Sequence, residues 1–141
     1  MTATAGVLDT SVFIATESGR QLDESLIPDE VATTVVTLAE LHVGVLAATT
    51  SEIRAQRLAT LESVADMEAL PADDDAARMW ARLRIYLAET GRRVRVNDLW
   101  IAAIAASRAL PVITHDEDFA ALDGADRALE PWRSADHVAG I

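Results

Sequence analysis

Lysine and cysteine are both absent from this chain of 141 residues, and only six residues are aromatic. The lack of cysteine excludes disulfides, thiolate metal ligands and cysteine nucleophiles, and fits a reducing compartment. The lack of lysine excludes Schiff-base chemistry and phosphate-loop lysines. All twelve basic residues are therefore arginine, and the formal net charge is −11. An acidic chain binds polyanions poorly, so any contact with nucleic acid requires a local basic patch or bound cations.

Long hydrophobic runs are also missing. No apolar run approaches the roughly 18 residues that span a bilayer, and the start MTATAGVLD has no basic segment typical of a secretion signal. These features predict a soluble, cytoplasmic protein. The length predicts one domain over residues 1–141, and the alanine-rich composition predicts an aliphatic core of closely packed helices.

Short apolar or β-branched runs alternate with helical patterns along the chain. Strands are predicted at 5–9, 31–36, 67–71, 111–114 and 127–132. Helices are predicted at 10–16, 37–48, 51–66 with Ser51 as its cap, 72–91 ending at Gly91, 97–110 and 117–124. This alternation predicts an α/β fold, a three-layer α/β/α sandwich with a mainly parallel central sheet.

Four carboxylates stand in otherwise uncharged surroundings: Asp9, Glu40, Asp98 and Asp116. Each lies within or at the end of an apolar segment that offers it no arginine. Burying a carboxylate costs several kcal/mol unless it is paired, hydrogen-bonded or bound to a metal. Because the carboxyl ends of parallel strands and the following helices share one edge of a sheet, we expect these acids to converge there.

Clustered carboxylates imply cations, and ligands that are all oxygen suit Mg²⁺ or Mn²⁺, ions that commonly serve phosphoryl transfer. A local explanation competes for two of the acids, because Asp98 and Asp116 occupy positions where aspartate often caps a helix. Asp9 is harder to explain in this way, since Thr10 and Ser11 can already cap, and Glu40 lies inside a predicted helix.

Four sequence blocks, VLDTSVFIA, VVTLAELHVG, VNDLWIAAIA and VITHDEDF, resemble the PIN-domain family in order and spacing, and within it the VapC toxins of bacterial toxin–antitoxin pairs. The resemblance implies an α/β/α fold, an acidic pocket for Mg²⁺ or Mn²⁺, and RNA cleavage. It also implies a homodimer held inactive by a small antitoxin protein, whose DNA-binding end represses the shared operon.

By position, the family's acids correspond to Asp9, Glu40, Asp98 and Asp116. The implied mechanism is phosphodiester hydrolysis by metal-activated water. Three aspartates hold the ion, while Glu40 completes the site or helps to deprotonate the water. Asp118 is interpreted as a helix cap or as a ligand of a second ion through water.

Several neighbours of these acids are expected either to orient them or simply to cap helices. They are Thr10, Ser11, Asn97 and Thr114. His115 is expected to point away from Asp116 if the strand continues, and to have a surface role rather than to bind the metal.

Half of the arginines fall between Arg78 and Arg95. The loop group Arg92, Arg93 and Arg95, just before Asp98, is the better candidate for RNA phosphates. Arg78 and Arg82 are expected on an exposed helix face balanced by acids. Trp80, Tyr86 and Trp100 are interpreted as core residues, with base stacking or a dimer interface as the alternatives. The helices predicted at 37–48 and 51–65 are expected to form a groove for an antitoxin helix.

Other functions remain open from the sequence. A solitary RNA-processing nuclease has the same site, and a noncatalytic PIN-like module that binds RNA or protein has the same fold. A phosphatase or phosphoreceiver based on Asp9 is disfavoured, because such folds normally recruit a lysine and a second acid two positions on, where this chain has Ser11.

Overall fold

This computed structural model describes residues 4–115, residue 122 and the backbone of residues 136–137. Five strands occur in this part of the chain: β1 Ala5–Leu8, β2 Glu30–Thr34, β3 Ala69–Leu70, β4 Val112–Thr114 and β5 Asp136–His137. The α-helices are α1 Thr10–Glu17, α2 Val35–Leu46, α3 Ser51–Ser63, α4 Asp74–Thr90 and α5 Val96–Ser107, and a 3₁₀ turn covers Glu24–Leu26. Within the described ranges, no helix has the length and apolarity needed to cross a membrane.

The described strands form one sheet in the order β3-β2-β1-β4-β5, and every neighbouring pair is parallel. β1 lies in the middle because the chain first builds outward through β2 and β3, and then crosses to the other side of β1 to form β4. The crevice beyond the carboxyl ends of β1 and β4 is therefore the point where the direction of winding reverses. Ligand sites in open α/β sheets form at this point.

Successive residues of the central strands face opposite layers. Val7 and Val112 belong to a core cluster with the buried faces of α4 and α5, which includes Leu83 and the fully buried Ile101. Leu8 and Ile113 belong to a second cluster with buried residues of α1 and α2. The sheet thus lies between two helical layers, and the predicted three-layer α/β/α sandwich is confirmed.

Trp80, Trp100 and Tyr86 are half-buried and pack as core residues. Trp80 and Tyr86 pack against the cluster formed by α4 and α5. The ring of Trp80 stacks on that of Trp100 with 5.4 Å between centroids and 23° between planes. Such a stacked pair adds packing between the two helices beyond the area that it buries.

Capping side chains set several boundaries differently from the prediction. β2 ends at Thr34 rather than residue 36, because the Thr34 side chain accepts a hydrogen bond from the Thr37 backbone N–H and starts α2. Thr50, not Ser51, caps α3 in the same way. Gly91 does end α4, in the left-handed conformation at φ 67°.

Most of the predictions for residues after 115 fall outside the described residues. The helix predicted at 117–124 and the strand predicted at 127–132 lie outside the described residues, apart from the buried Leu122. The last described strand is instead Asp136–His137, which pairs with β4.

Candidate active site

Asp9 comes directly after β1 and lies at the centre of the sheet's carboxyl edge. Its backbone N–H donates to the Ile113 carbonyl at 3.1 Å, which ties it to β4. Only 1% of the residue is exposed. Asp9 occupies the N-cap position of α1, yet its carboxylate makes no capping hydrogen bond. The side chain is thus buried for a reason other than capping.

Two hydroxyl groups hold the Asp9 carboxylate. Ser11 Oγ donates to Oδ1 at 2.7 Å, and Thr114 Oγ1 donates to Oδ2 at 2.9 Å. The two hydroxyl oxygens lie 3.2 Å apart, but each has a single proton and that proton goes to the carboxylate. Ser11 Oγ in turn accepts from the His115 backbone N–H at 2.8 Å. Ser11 and Thr114 thus fix the orientation of the Asp9 carboxylate at the edge of the sheet.

Glu40 projects from α2 and is held by a hydroxyl chain. Thr10 Oγ1 donates to Glu40 Oε1 at 2.7 Å and also lies 3.1 Å from Thr37 Oγ1. Thr10 is the donor in both contacts, and because it has one proton, the shorter bond to Glu40 is the stronger one. Thr34 Oγ1 lies 3.4 Å from Thr37 Oγ1 at the far end of the chain. Both Thr34 and Thr37 are fully buried.

Asp98 lies in the first turn of α5 and is partly buried. The N-cap residue of that helix is Arg95, so Asp98 does not occupy the capping position that the local explanation required. The residues that follow, Leu99 and Ile101, are buried in the core, which fixes the direction in which α5 presents Asp98.

A single pocket of about 260 Å³ receives all three described carboxylates. Its lining consists of Asp9, Thr10, Ser11, Ile14, Arg20, Glu40, Arg95, Asp98 and His115. Three acids that are 31 to 89 positions apart in the chain thus border one space at the carboxyl edge of the sheet. The donors offered there are mainly oxygens, which suits a hard divalent cation.

The pocket does not draw the carboxylates around one point. Among the described residues, no group of three histidine, cysteine, aspartate or glutamate side chains is arranged as a ready-made metal cage. Ser11 and Thr10 hold Asp9 and Glu40 in place without a cation.

Not every predicted site residue lies at this pocket. Asp116 and Asp118 lie outside the described residues. Asn97 is exposed and does not line the pocket, and neither do the exposed Arg92 and Arg93.

Two further loop residues border the pocket. Arg95 is the member of the loop arginine group that lines it. His115 also lines the pocket, while Asp116, the residue that it was expected to point away from, lies outside the described residues. The backbone bond of His115 to Ser11 turns the chain after β4 back toward Asp9.

Sequence reasoning missed three residues at this site. Arg20 and Ile14 line the pocket, and Thr37 supports Thr10. A signal for Arg20 was present, because it is the only lysine or arginine before Arg54 and follows the first predicted helix. Ile14 lies one turn after Thr10 and is 50% exposed, which is unusual for an apolar residue of a short helix.

An apolar groove of about 560 Å³ runs beside the site between α1 and α3. Val12 and Phe13 of α1 form one wall, and Ala59 and Ser63 of α3 form the other. A groove was expected from the helices predicted at 37–48 and 51–65. The groove observed here is formed by α3 with α1 instead of α2. α2 lies directly on α3, where Arg57 Nη1 donates to the Gly44 carbonyl at 2.6 Å.

The PIN domain family model matches residues 6–125. The chain belongs to the PIN-domain family. It is 87% identical to Ribonuclease VapC5 of Mycobacterium tuberculosis over 124 residues, which cover 88% of this chain and 92% of that protein. The resemblance inferred from the four sequence blocks is therefore confirmed, and VapC ribonucleases with a PIN domain are generally metal-dependent.

Solved structures agree with this assignment. The crystal structure of VapBC-5, a member of the VapBC family of toxin–antitoxin systems from M. tuberculosis, matches with a TM-score of 0.83 and 83% identity, over 87% of this chain and 94% of that chain. DNA-bound VapBC from Salmonella typhimurium matches with a TM-score of 0.70 and 26% identity, over 95% of this chain and 98% of that chain.

Proposed function

We propose that this PIN domain is a Mg²⁺- or Mn²⁺-dependent endoribonuclease and the toxin of a type II toxin–antitoxin pair, acting in the cytoplasm. The observation that supports this most strongly is that Asp9, Glu40 and Asp98 border one pocket at the switch point of the sheet. The high identity with a protein named Ribonuclease VapC5 supports the same conclusion.

Asp9, Asp98 and Asp116 are the proposed metal ligands, and Glu40 completes the set. A divalent cation bound there supplies positive charge that activates water and stabilises the charge developing on the phosphate. The pocket fits this role, because three carboxylates line it and the Asp9 carboxylate is oriented by neutral hydroxyl donors.

The chain's own residues supply orientation and proton transfer. Glu40 is proposed to take the proton of the attacking water, and Thr10 leaves one of its oxygens available by donating to the other. Ser11 and Thr114 fix the plane of Asp9 so that it does not rotate away from its ligand position. Leu99 and Ile101 anchor the helix that carries Asp98.

A small antitoxin with a DNA-binding end is the proposed partner, in line with the VapBC complexes that share this fold. The groove between α1 and α3 is the proposed docking site. It is apolar, but Glu17 and Glu24 lie on its border, which favours a segment that combines apolar and basic side chains.

Cleavage of RNA by the purified protein tests the proposal. We expect fragments from total RNA in the presence of Mg²⁺ or Mn²⁺, and none with EDTA or with the Asp9→Asn variant. Circular dichroism should show that the variant is folded. Cleavage that survives both chelation and the substitution would contradict the mechanism. RNA binding without any cleavage would instead identify a noncatalytic module.

A further inference from the structure

We infer that Arg20 binds a phosphate of the RNA substrate beside the scissile bond, an inference that rests on the proposed ribonuclease function. Arg20 lines the same pocket as Asp9, Glu40 and Asp98, although it comes from the loop after α1 and is far in sequence from the loop arginines. Arg20 is exposed, and the lining that it shares with Arg95 includes three acids.

The backbone at Arg20 is fixed by the end of α1. Gly19 adopts the left-handed conformation at φ 75°, and its N–H donates to the Thr16 carbonyl at 3.1 Å. The N–H of Arg20 itself donates to the Ala15 carbonyl at 2.9 Å. These are the two bonds of a helix C-terminal cap closed by a left-handed glycine. Arg20 is thus held at the rim by its main chain, which leaves the guanidinium available to a ligand.

Other described arginines are occupied differently. Arg78 pairs with Asp75, Arg108 lies 3.5 Å from Asp73, and Arg57 donates to a backbone carbonyl. Arg20 makes no ion pair within the described part of the chain.

A bound divalent cation removes the negative charge that would repel a phosphodiester from the pocket. Three carboxylates and two arginines line it among the described residues, and with the proposed fourth ligand Asp116 the sum is −2, which a divalent ion cancels. A phosphodiester carries one negative charge. The arginine fork is suited to two of its oxygens, whereas the metal needs only one.

The surface beside Arg20 is acidic. Arg20 also borders a second pocket, which Asp23 and Glu24 line. Those acids disfavour a second phosphate there, so one phosphate contact is assigned to Arg20.

Initial-rate kinetics on a short fluorescent RNA with Mn²⁺ tests this inference. We expect Arg20→Gln to lower kcat/KM on the order of tenfold or more at physiological salt, as for one charged hydrogen bond. The slope of log kcat/KM against log salt should become shallower by about 0.7, the value for one phosphate contact on a single strand. Arg20→Lys should keep the slope, because it keeps the charge.

The matched control is Arg84→Gln. Arg84 is also exposed and makes no ion pair within the described residues, but it lies on α4 away from the pocket, so neither kcat/KM nor the slope should change. All variants should melt at the wild-type temperature, since these side chains are exposed.

If the wild type is active and Arg20→Gln changes neither the kinetics nor the salt slope, the inference about Arg20 is overturned while the proposed function stands. An inactive wild type would reject the proposed function. In that case the RNA affinities of the same variants are measured against salt. A shallower slope for Arg20→Gln than for the wild type supports the contact, and an equal slope rejects it. Loss of antitoxin binding with normal RNA kinetics would also overturn it, in favour of a protein contact.

Discussion

Hydroxyl groups position two acids of this site. Asp9 accepts from Ser11 and Thr114, and Glu40 accepts from Thr10. A neutral donor orients a carboxylate without cancelling its charge, so the acid remains available to a cation. An arginine in the same place would compete with the metal.

The Thr114→Val variant tests this function of the hydroxyl. Valine has nearly the same shape but cannot donate to Asp9 Oδ2, so we expect Mn²⁺ affinity to fall about 10- to 100-fold. The free energy of unfolding without metal should fall by about 1–3 kcal/mol, because a buried acceptor loses its partner. Calorimetric titration with Mn²⁺ and urea denaturation measure the two effects.

Thr33→Val is the control for that experiment. Thr33 is equally buried, but its hydroxyl lies 3.4 Å from the Leu8 carbonyl and does not contact a carboxylate. Its substitution should affect stability alone. Equal Mn²⁺ affinities for the two valine variants would show that Thr114 only fills space.

Single residues differ in how well the sequence predicted them. Asp9, Glu40 and Asp98 were singled out because each stands alone in an apolar segment, a pattern that needs no coordinates. Arg20 and Thr37 were missed, since an isolated arginine after a helix and a threonine within one are ordinary in any protein. Only the packing of α1 beside α2 brings them to the acids.

At the scale of elements, the parallel sheet explains why the site forms. β1 and β4 are adjacent, with Leu8 opposite Ile113, so the next residues in each strand, Asp9 and Thr114, lie side by side. The element types could be predicted from apolar periodicity. Their ends depended on which of several neighbouring hydroxyls caps a helix, as Thr34 and Thr50 show.

The groove between α1 and α3 can be tested with the antitoxin of the related VapBC-5 pair. Ala59 is exposed on α3 and lines the groove, so Ala59→Arg should fill it and weaken antitoxin binding at least tenfold. RNA cleavage by the free protein should stay normal, because the substitution is outside the acidic pocket. Pull-down and surface plasmon resonance measure the binding.

Ala55→Arg is the matched control on the same helix. Ala55 is exposed but does not line the groove, so this variant should bind the antitoxin like the wild type. If both variants bind normally, the antitoxin occupies another surface.

At the scale of the whole molecule, the distribution of charge determines where RNA can bind, and the exposed apolar area indicates where another protein chain can bind. A net charge of −11 disfavours RNA everywhere except where arginines and a cation collect. The outer face of α2 exposes Val43 and Leu46, at 62% and 81%. Since the antitoxin is assigned to the groove between α1 and α3, we propose this face for the homodimer that the family resemblance implies.

The Leu46→Glu variant tests that interface. A charge in an apolar contact loses its hydration, so we expect the dimer to dissociate to monomers at micromolar concentration in analytical ultracentrifugation. Thr49→Glu adds the same charge at a polar exposed position just after α2 and should leave the dimer intact. A Leu46→Glu protein that stays dimeric would place the interface elsewhere.

The sequence by itself determined the alternation of strands and helices, the isolated acids and the absence of lysine and thiol chemistry. These properties are local, because periodicity, capping and composition act over a few residues. Only the tertiary structure decided that Arg20 and His115 border the acids, and that α1 rather than α2 forms a groove with α3. Such contacts depend on how helices pack across the sheet, and many sequences with the same local pattern can pack differently.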